Sequence, residues 1–269
     1  MSKVNVSTVT LGVSLFMSGV SALPGQTGQV VFNDTFEASS GTPTGWITTL
    51  DASVTCPAPY QTNQNDIDSY VVPGDNWPGH GRVYVLHANT HSEPATFANC
   101  IGYRSFGYRG GGNYSVELDM RMWRDDGMYK NQYFGMNLTF NRNYTDHFAE
   151  VNIEANPNSA DRGWLMYRQG AEPWTRHRIA YVGTDPKVWQ HLIVNVWIDP
   201  ALNTYILESV NIKGKYYVLH KPLATRQTPW TDNFGLLLES NTLYTNCTPL
   251  NTYIGIALFD NVKVTYFPW

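Results

Sequence analysis

Along most of this chain the apolar residues recur at every second position, the period of a strand with one buried face. Over 114–123, Val116, Leu118, Met120 and Met122 alternate with Ser115, Glu117, Asp119, Arg121 and Trp123. Over 149–155, Val151 and Ile153 oppose Glu150, Asn152 and Glu154, and over 191–198, Val194, Val196 and Ile198 oppose Asn195 and Trp197. The same reading predicts strands over 30–37, 82–88, 101–106, 133–140, 163–168, 178–182, 205–212, 216–220, 234–239 and 253–266. Turn signals separate them, among them Gly110-Gly111-Gly112, Asp125-Asp126-Gly127, Asn156-Pro157-Asn158 and Lys213-Gly214-Lys215. No heptad, repeat or long helical period interrupts the pattern. It therefore predicts an all-β, two-sheet antiparallel β-sandwich of the jelly-roll type, one domain over 30–269. The stretch 49–81 is expected to be its longest irregular segment.

The first 22 residues read in two ways. Lys3, the apolar run from Val9 to Val20 and Val20-Ser21-Ala22 form a secretory leader pattern, followed by a linker over 23–29. Yet Val9, Leu11, Val13, Leu15 and Met17 alternate with Thr8, Thr10, Gly12, Ser14 and Ser18, which suits an amphipathic strand that could be donated to a neighbouring copy.

Composition narrows the partners. Only 15% of the 269 residues are charged, 14% are aromatic and the net charge is -4, so the sequence offers no electrostatic footprint for nucleic acid. No run of eighteen apolar residues follows the leader, so no internal membrane span is expected. Cys56, Cys100 and Cys247 permit one disulfide with one thiol left over, and their spacing matches no zinc pattern. Sequons begin at Asn5, Asn33, Asn113, Asn137, Asn143 and Asn246, candidate glycosylation sites if the chain is exported. These features together predict a secreted or cell-surface protein.

Two segments carry a resemblance. Val30-Val31-Phe32-Asn33-Asp34-Thr35-Phe36-Glu37, closed by Gly45-Trp46, and Ile254-Gly255-Ile256-Ala257-Leu258-Phe259-Asp260-Asn261-Val262-Lys263-Val264 resemble the opening and closing strands of concanavalin A-like sandwiches, the scaffold of lectins, laminin-G-like modules and some polysaccharide hydrolases and lyases. Trp189 to Asp199 is similar to the penultimate strands of laminin-G-like modules. In several relatives acidic residues of the first and last strands share a structural calcium ion, which the resemblance carries to Asp34 or Glu37 together with Asp260. Asp260 is expected on one face with Ile256, Leu258, Val262 and Val264, where a carboxylate needs a partner. The competing reading of Asp260 is a strand-end cap on local amides.

Sugars present apolar C–H faces and many hydroxyls, so aromatic platforms flanked by amides and charged groups match them. If the three alternating strands are neighbours, Glu117, Asp119, Arg121, Trp123, Glu150, Asn152, Asn195 and Trp197 line one glycan-binding surface. The same side chains also suit a merely solvated outer sheet. Glu117-Leu118-Asp119-Met120 resembles the opening of the Glu-x-Asp-x-x-Glu strand of laminarinase-type glucanases, but the second glutamate's place holds Arg121 or Met122. Glu150 and Glu154, four strand residues apart, are separated by roughly 13 Å of backbone, beyond either usual carboxyl spacing. Lyase-type residues such as Arg168, His177, Arg178 and Tyr181 are present without a distinctive pattern, and His87 and His91 lie on a strand and loop that do not suit a metal pair. No catalytic set is assigned. The expectation is a non-catalytic exported glycan-binding or coat protein, with a donor-strand filament subunit and a polysaccharide-cleaving lyase or hydrolase as alternatives.

Overall fold

The computed structural model describes residues 27–38, 43–54, 65–74, 80–90, 95–122, 132–154, 163–170, 175–182, 188–230, 233–243 and 253–269. Among these residues every regular element is a strand: β1 (Gln29–Asp34), β2 (Ile47–Val54), β3 (Asn65–Pro73), β4 (Arg82–Thr90), β5 (Ala95–Ser105), β6 (Gly112–Met122), β7 (Gln132–Arg142), β8 (Thr145–Glu154), β9 (Trp164–Arg168), β10 (Arg176–Tyr181), β11 (Gln190–Asp199), β12 (Thr204–Ile212), β13 (Lys215–Pro222), β14 (Ala224–Gln227), β15 (Asn233–Leu243) and β16 (Tyr253–Pro268).

They form two antiparallel sheets. The first runs β13-β12-β11-β6-β16-β4-β3, with β1 also on β16; the second runs β10-β9-β8-β7-β15-β5-β2, with β14 also on β8. The opening and closing strands pair as their sequences suggest, Asp34 opposite Val262 and Val30 opposite Thr265. Alternation places the core. From the first sheet, Tyr114, Val116, Leu118, Met120 and Met122 of β6 point inward with Val194 and Val196 of β11. From the second, Phe134, Met136, Leu138 and Phe140 of β7 meet them with Val151 and Ile153 of β8 and Leu236 and Leu238 of β15. Phe140 stands edge-on to Phe234 at 4.8 Å and to Tyr114 at 5.3 Å, a geometry that favours aromatic pairs beyond their simple burial. Each such side chain removed from water contributes about 1.5–3 kcal/mol.

Three strands depart from expectation. β2, β3 and β14 were not legible: β3 begins Asn-Asp-Ile-Asp-Ser, too polar to read as a strand, yet it pairs with β4 from Asn65 opposite Thr90 to Pro73 opposite Arg82. So 49–81 contains the end of one strand and the whole of another. The closing strand also breaks its own alternation. Asn261 adopts φ 52° and the register shifts between Asp260 and Lys263, a bulge that reverses the faces. Ala257 and Phe259 before it and Val262 and Val264 after it all join the main core. Ile256 and Leu258 lie on the outer side with Asp260, where they pack with Val72, Val83, Val85 and Trp189. Asp260 therefore shares no face with Val262 and Val264.

Candidate functional site

The outer faces of the two sheets differ. On the first, outward side chains of β6 are half-exposed, in strict alternation with buried ones. On the second, β8 is buried at every position from Phe148 to Glu154, so its outward side chains form a buried polar layer, the recess of this face. The outward row of β7 holds Tyr133, Gly135, Asn137, Thr139 and Asn141; opposite it on β8 stand Glu154, Asn152, Glu150, Phe148 and Asp146, and on β15 Glu239 faces Gly135. Asn137, Asn141, Glu150, Asn152, Glu154 and Glu239 are each no more than 7% exposed.

Glu150 is the centre of this recess. Arg168 of β9 brings Nε to 2.7 Å from its Oε2, and Arg176 of β10 reaches Oε1 with Nη2 at 3.1 Å. Asn152 Nδ2 donates to the same Oε1 at 2.8 Å. Burial, with the neighbouring Glu239 carboxylate, pushes the Glu150 carboxyl up to about 7 despite both guanidinium groups. Gly135 makes the arrangement fit, because a Cβ there would lie 2.2 Å from the Val151 carbonyl oxygen and 2.4 Å from Asn152 Oδ1. At the next position of the recess the Tyr133 hydroxyl donates to Glu154, and burial together with that carboxylate raises its pKa. Arg176 also lies over the Tyr133 ring, 4.3 Å from its centroid. Rings close the rim: Trp164 meets Tyr181 edge-on at 5.6 Å, with the Arg178 guanidinium 5.0 Å over the indole. On the far side Tyr103 lies against Gly235, leaving no room for a side chain there.

The single surface expected from the three alternating strands is in fact two. Glu150 and Asn152 lie in the recess, whereas Glu117, Asp119, Arg121, Asn195 and Trp197 lie on the outer side of the other sheet, across the whole core, because β6 and β11 pair with each other and not with β8. Trp123 falls outside the described residues. On that first sheet the charges satisfy one another: Lys263 Nζ is 2.7 Å from Glu117 Oε2, His191 sits 2.8 Å from Asp119 Oδ1 and 3.4 Å from Glu117 Oε1, and Asn261 Nδ2 donates to Asp119 at 2.8 Å. Arg121 stacks over Trp189 at 5.8 Å. The sequence reading missed Arg176, Glu239 and Tyr133 as site members. Their one signal was position: each falls on the polar phase of its strand, which becomes visible only when β7, β8, β10 and β15 are known to share a sheet.

The residues carried over for calcium do not fit the ion. Asp34 Oδ1 accepts from the Phe36 amide at 2.7 Å and Oδ2 from Trp46 Nε1 at 2.9 Å; Asp260 Oδ1 accepts from the Asn261 amide at 2.7 Å and Oδ2 meets His80 Nδ1 at 2.8 Å; Glu37 Oε1 accepts from the Arg82 amide at 2.9 Å. Both oxygens of Asp34 and of Asp260, and one of Glu37, are engaged by protein groups, and the His80 imidazole, stacked on Trp189 at 3.9 Å, stands where Asp260 needs a partner. Among the described residues no three His, Cys, Asp or Glu side chains converge as a metal centre. Of the sequons, Asn33 and Asn143 are exposed and Asn113 half-exposed, while Asn137 is buried in the recess, where a glycan on its amide would have to open the face. Cys100 is buried on β5; Cys56, Cys247, Asn5, Asn246 and residues 1–26 lie outside the described residues.

Comparison of this architecture with solved structures places its fold. It is similar to an endo-β-1,4-glucuronan lyase from the fungus Trichoderma reesei (TM-score 0.53, 12% identity, covering 88% of this chain and 96% of that one). The fold is that of the concanavalin A-like β-sandwiches. Similar too are a carbohydrate esterase from the Shiga toxin-encoding bacteriophage phi24B (TM-score 0.51, 12% identity, 90% and 100% covered) and an endo-1,3-β-glucanase from Streptomyces sioyaensis (TM-score 0.50, 14% identity, 92% and 100% covered). At such identities the likeness is one of fold, and these three neighbours are named for reactions on carbohydrate. No protein-family model and no curated protein sequence matches the chain. Among the described residues no helix is long and apolar enough to cross a membrane.

Proposed function

We propose that this is a non-catalytic glycan-binding protein that works outside the cell and takes its polysaccharide along the recessed face of the second sheet. One observation carries the reading: both carboxylate oxygens of Glu150 are engaged, by Arg168, Arg176 and Asn152, so the central acid of the recess is held as a fixed hydrogen-bonding framework and not as an open nucleophile or base. Around it, amides and acids offer hydroxyl partners, and Trp164 and Tyr181 offer ring faces at the rim. The leader-like start and the exposed sequons support export. A panel of neutral and uronic polysaccharide gels tests the proposal. Retention on at least one gel, weakened by Trp164→Ala, is expected; passage through every gel would sink it.

A second reading, polysaccharide cleavage, rests on Tyr133. Its hydroxyl meets Glu154 while a guanidinium covers its ring, an arrangement able to move a proton to or from a bound sugar. Assays for new reducing ends and for unsaturated products on the same polysaccharides separate hydrolase, lyase and binder, and activity that disappears in Tyr133→Phe would replace the first reading with this one.

A further inference from the structure

The outer face of the first sheet divides along its length into a charged half and a neutral half. The charged half closes on itself through Lys263, Glu117, His191, Asp119 and Asn261, as described above. In the neutral half two transverse rows cross β11, β6 and β16. One row is Asn195, Ser115 and Thr265; the next is Trp197, Asn113 and Phe267. Trp269 follows directly on β16 and meets Trp197 at 5.3 Å with the planes 80° apart, so the two indoles form a corner. Trp269 is 62% exposed, a large apolar surface left in water by a chain whose core is well filled.

We propose that this corner is a second sugar-binding surface, in which Trp197, Phe267 and Trp269 receive the ring face of an uncharged glycan while Asn113, Ser115, Asn195 and Thr265 bond its hydroxyls. The choice of occupant follows from what the patch contains. Indole faces attract the weakly positive C–H groups of a pyranose, and short amides and hydroxyls can both donate and accept, which a sugar hydroxyl requires. The two rows carry no cation to hold a phosphate, sulfate or uronate and no anion to hold a basic peptide; on one side Lys263 and Glu117 pair with one another, and on the other the Asp199 carboxylate is turned to the Ala201 and Leu202 amides. The rows lie two residues apart along each strand, roughly 6.6 Å, so a ring on the indoles sets its hydroxyls over the polar row. The site faces away from the recess, with the core between them, so it can be present or absent independently of the proposed function.

The test uses full-length protein made without glycosylation, because a glycan on Asn113 would cover the same rings. Partition onto insoluble β-1,3-glucan, cellulose and chitin is measured for the unaltered chain and for Trp269→Ala, Trp197→Ala, Trp164→Ala and Trp230→Ala, with polyglucuronate as the acidic probe and thermal melting as the control of folding. At least one neutral polymer should retain the protein, in high salt as in low. Trp269→Ala, at an exposed position, should weaken that retention up to about tenfold without moving the melting temperature, the size expected for losing one ring contact with an indole face. Trp197→Ala should do the same, and Trp230→Ala, which removes an exposed ring that belongs to neither proposed site, should leave it intact. No retention by any neutral polymer, equal retention by the Trp269→Ala chain, or a loss confined to Trp164→Ala would each overturn the inference; the last would leave the recess as the sole sugar site.

Discussion

Arg176 reaches from β10 past the whole of β9 to Glu150 on β8, its Nη2 3.1 Å from Oε1, and on the way its guanidinium covers the Tyr133 ring of β7. One side chain thus spans four consecutive strands of the second sheet and ties three of them, β10, β8 and β7, across their outer face. Both partners are largely removed from water, so neither charge can be left alone cheaply.

Removing one member should therefore cost more than removing all three charges that meet at Glu150. Arg176→Ala is expected to destabilise the fold by roughly 3 kcal/mol, read from the urea midpoint, and Arg176→Met combined with Arg168→Met and Glu150→Leu by clearly less. Equal losses would show that these charges are weakly coupled and that the recess is held by packing.

Acid and base limbs of the stability curve should respond to different residues. Burial pushes the Glu150 carboxyl up to about 7, so the folded chain holds a proton that the unfolded chain has released; its contribution is complete below the ordinary carboxylate pKa, near 4.5, and is lost as pH rises to about 7. His147, stacked on Tyr205 at 3.7 Å, is depressed by burial to about 4; its contribution is complete above the ordinary imidazole pKa of 6.5 and is lost as pH falls toward 4. Glu150→Gln should flatten the decline toward neutral pH, and His147→Asn the decline toward acid. Melting curves recorded from pH 4 to 8 check both signs.

Calcium should be dispensable. With the oxygens of Asp34 and Asp260 engaged by protein donors, chelator is expected to leave the melting temperature unchanged, whereas His80→Ala, which strips a buried carboxylate of its partner, should cost about 1–3 kcal/mol. A fall in melting temperature on chelation, reversed by added calcium, would refute this.

Gly135→Ala probes how tightly the recess is built. Its Cβ would meet a backbone carbonyl oxygen at 2.2 Å, which no rotamer change relieves, so the strand pair must part. A loss of about 1–3 kcal/mol is expected, with weaker glycan retention even at temperatures where the protein remains folded. Calorimetry and the affinity gels together separate the two effects.

The sequence was most legible where one face meets the core and the other meets water. β6 and β11 alternate cleanly, and their strands were placed to within a residue or two. The pairing of β1 with β16 also followed from their resemblance to known terminal strands. The recess was less legible for a physical reason: Glu150, Asn152, Glu154 and Glu239 are buried in spite of their polarity, Glu150 held by Asn152 and two arginines and Glu154 by Tyr133, and a pattern of polar residues cannot tell a solvated face from a buried one. Nor can periodicity in single strands say which strands are neighbours. That is why Glu117 and Glu150, so alike in setting along the chain, ended on opposite sides of the molecule.

A single extra residue governs much of this. Were the strand paired regularly through Asn261, with no bulge to absorb it, the half that follows would turn over as a ribbon does, driving Val262 and Val264 outward and Lys263 and Thr265 inward, while the half before it stayed put. Removing Asn261 instead would join Asp260 to Val262 in unbroken alternation and leave both halves in phase. A sandwich of this kind is thus a mechanical linkage whose phase is set at one joint, and natural variation there should shorten the chain by one residue more readily than it straightens the bulge.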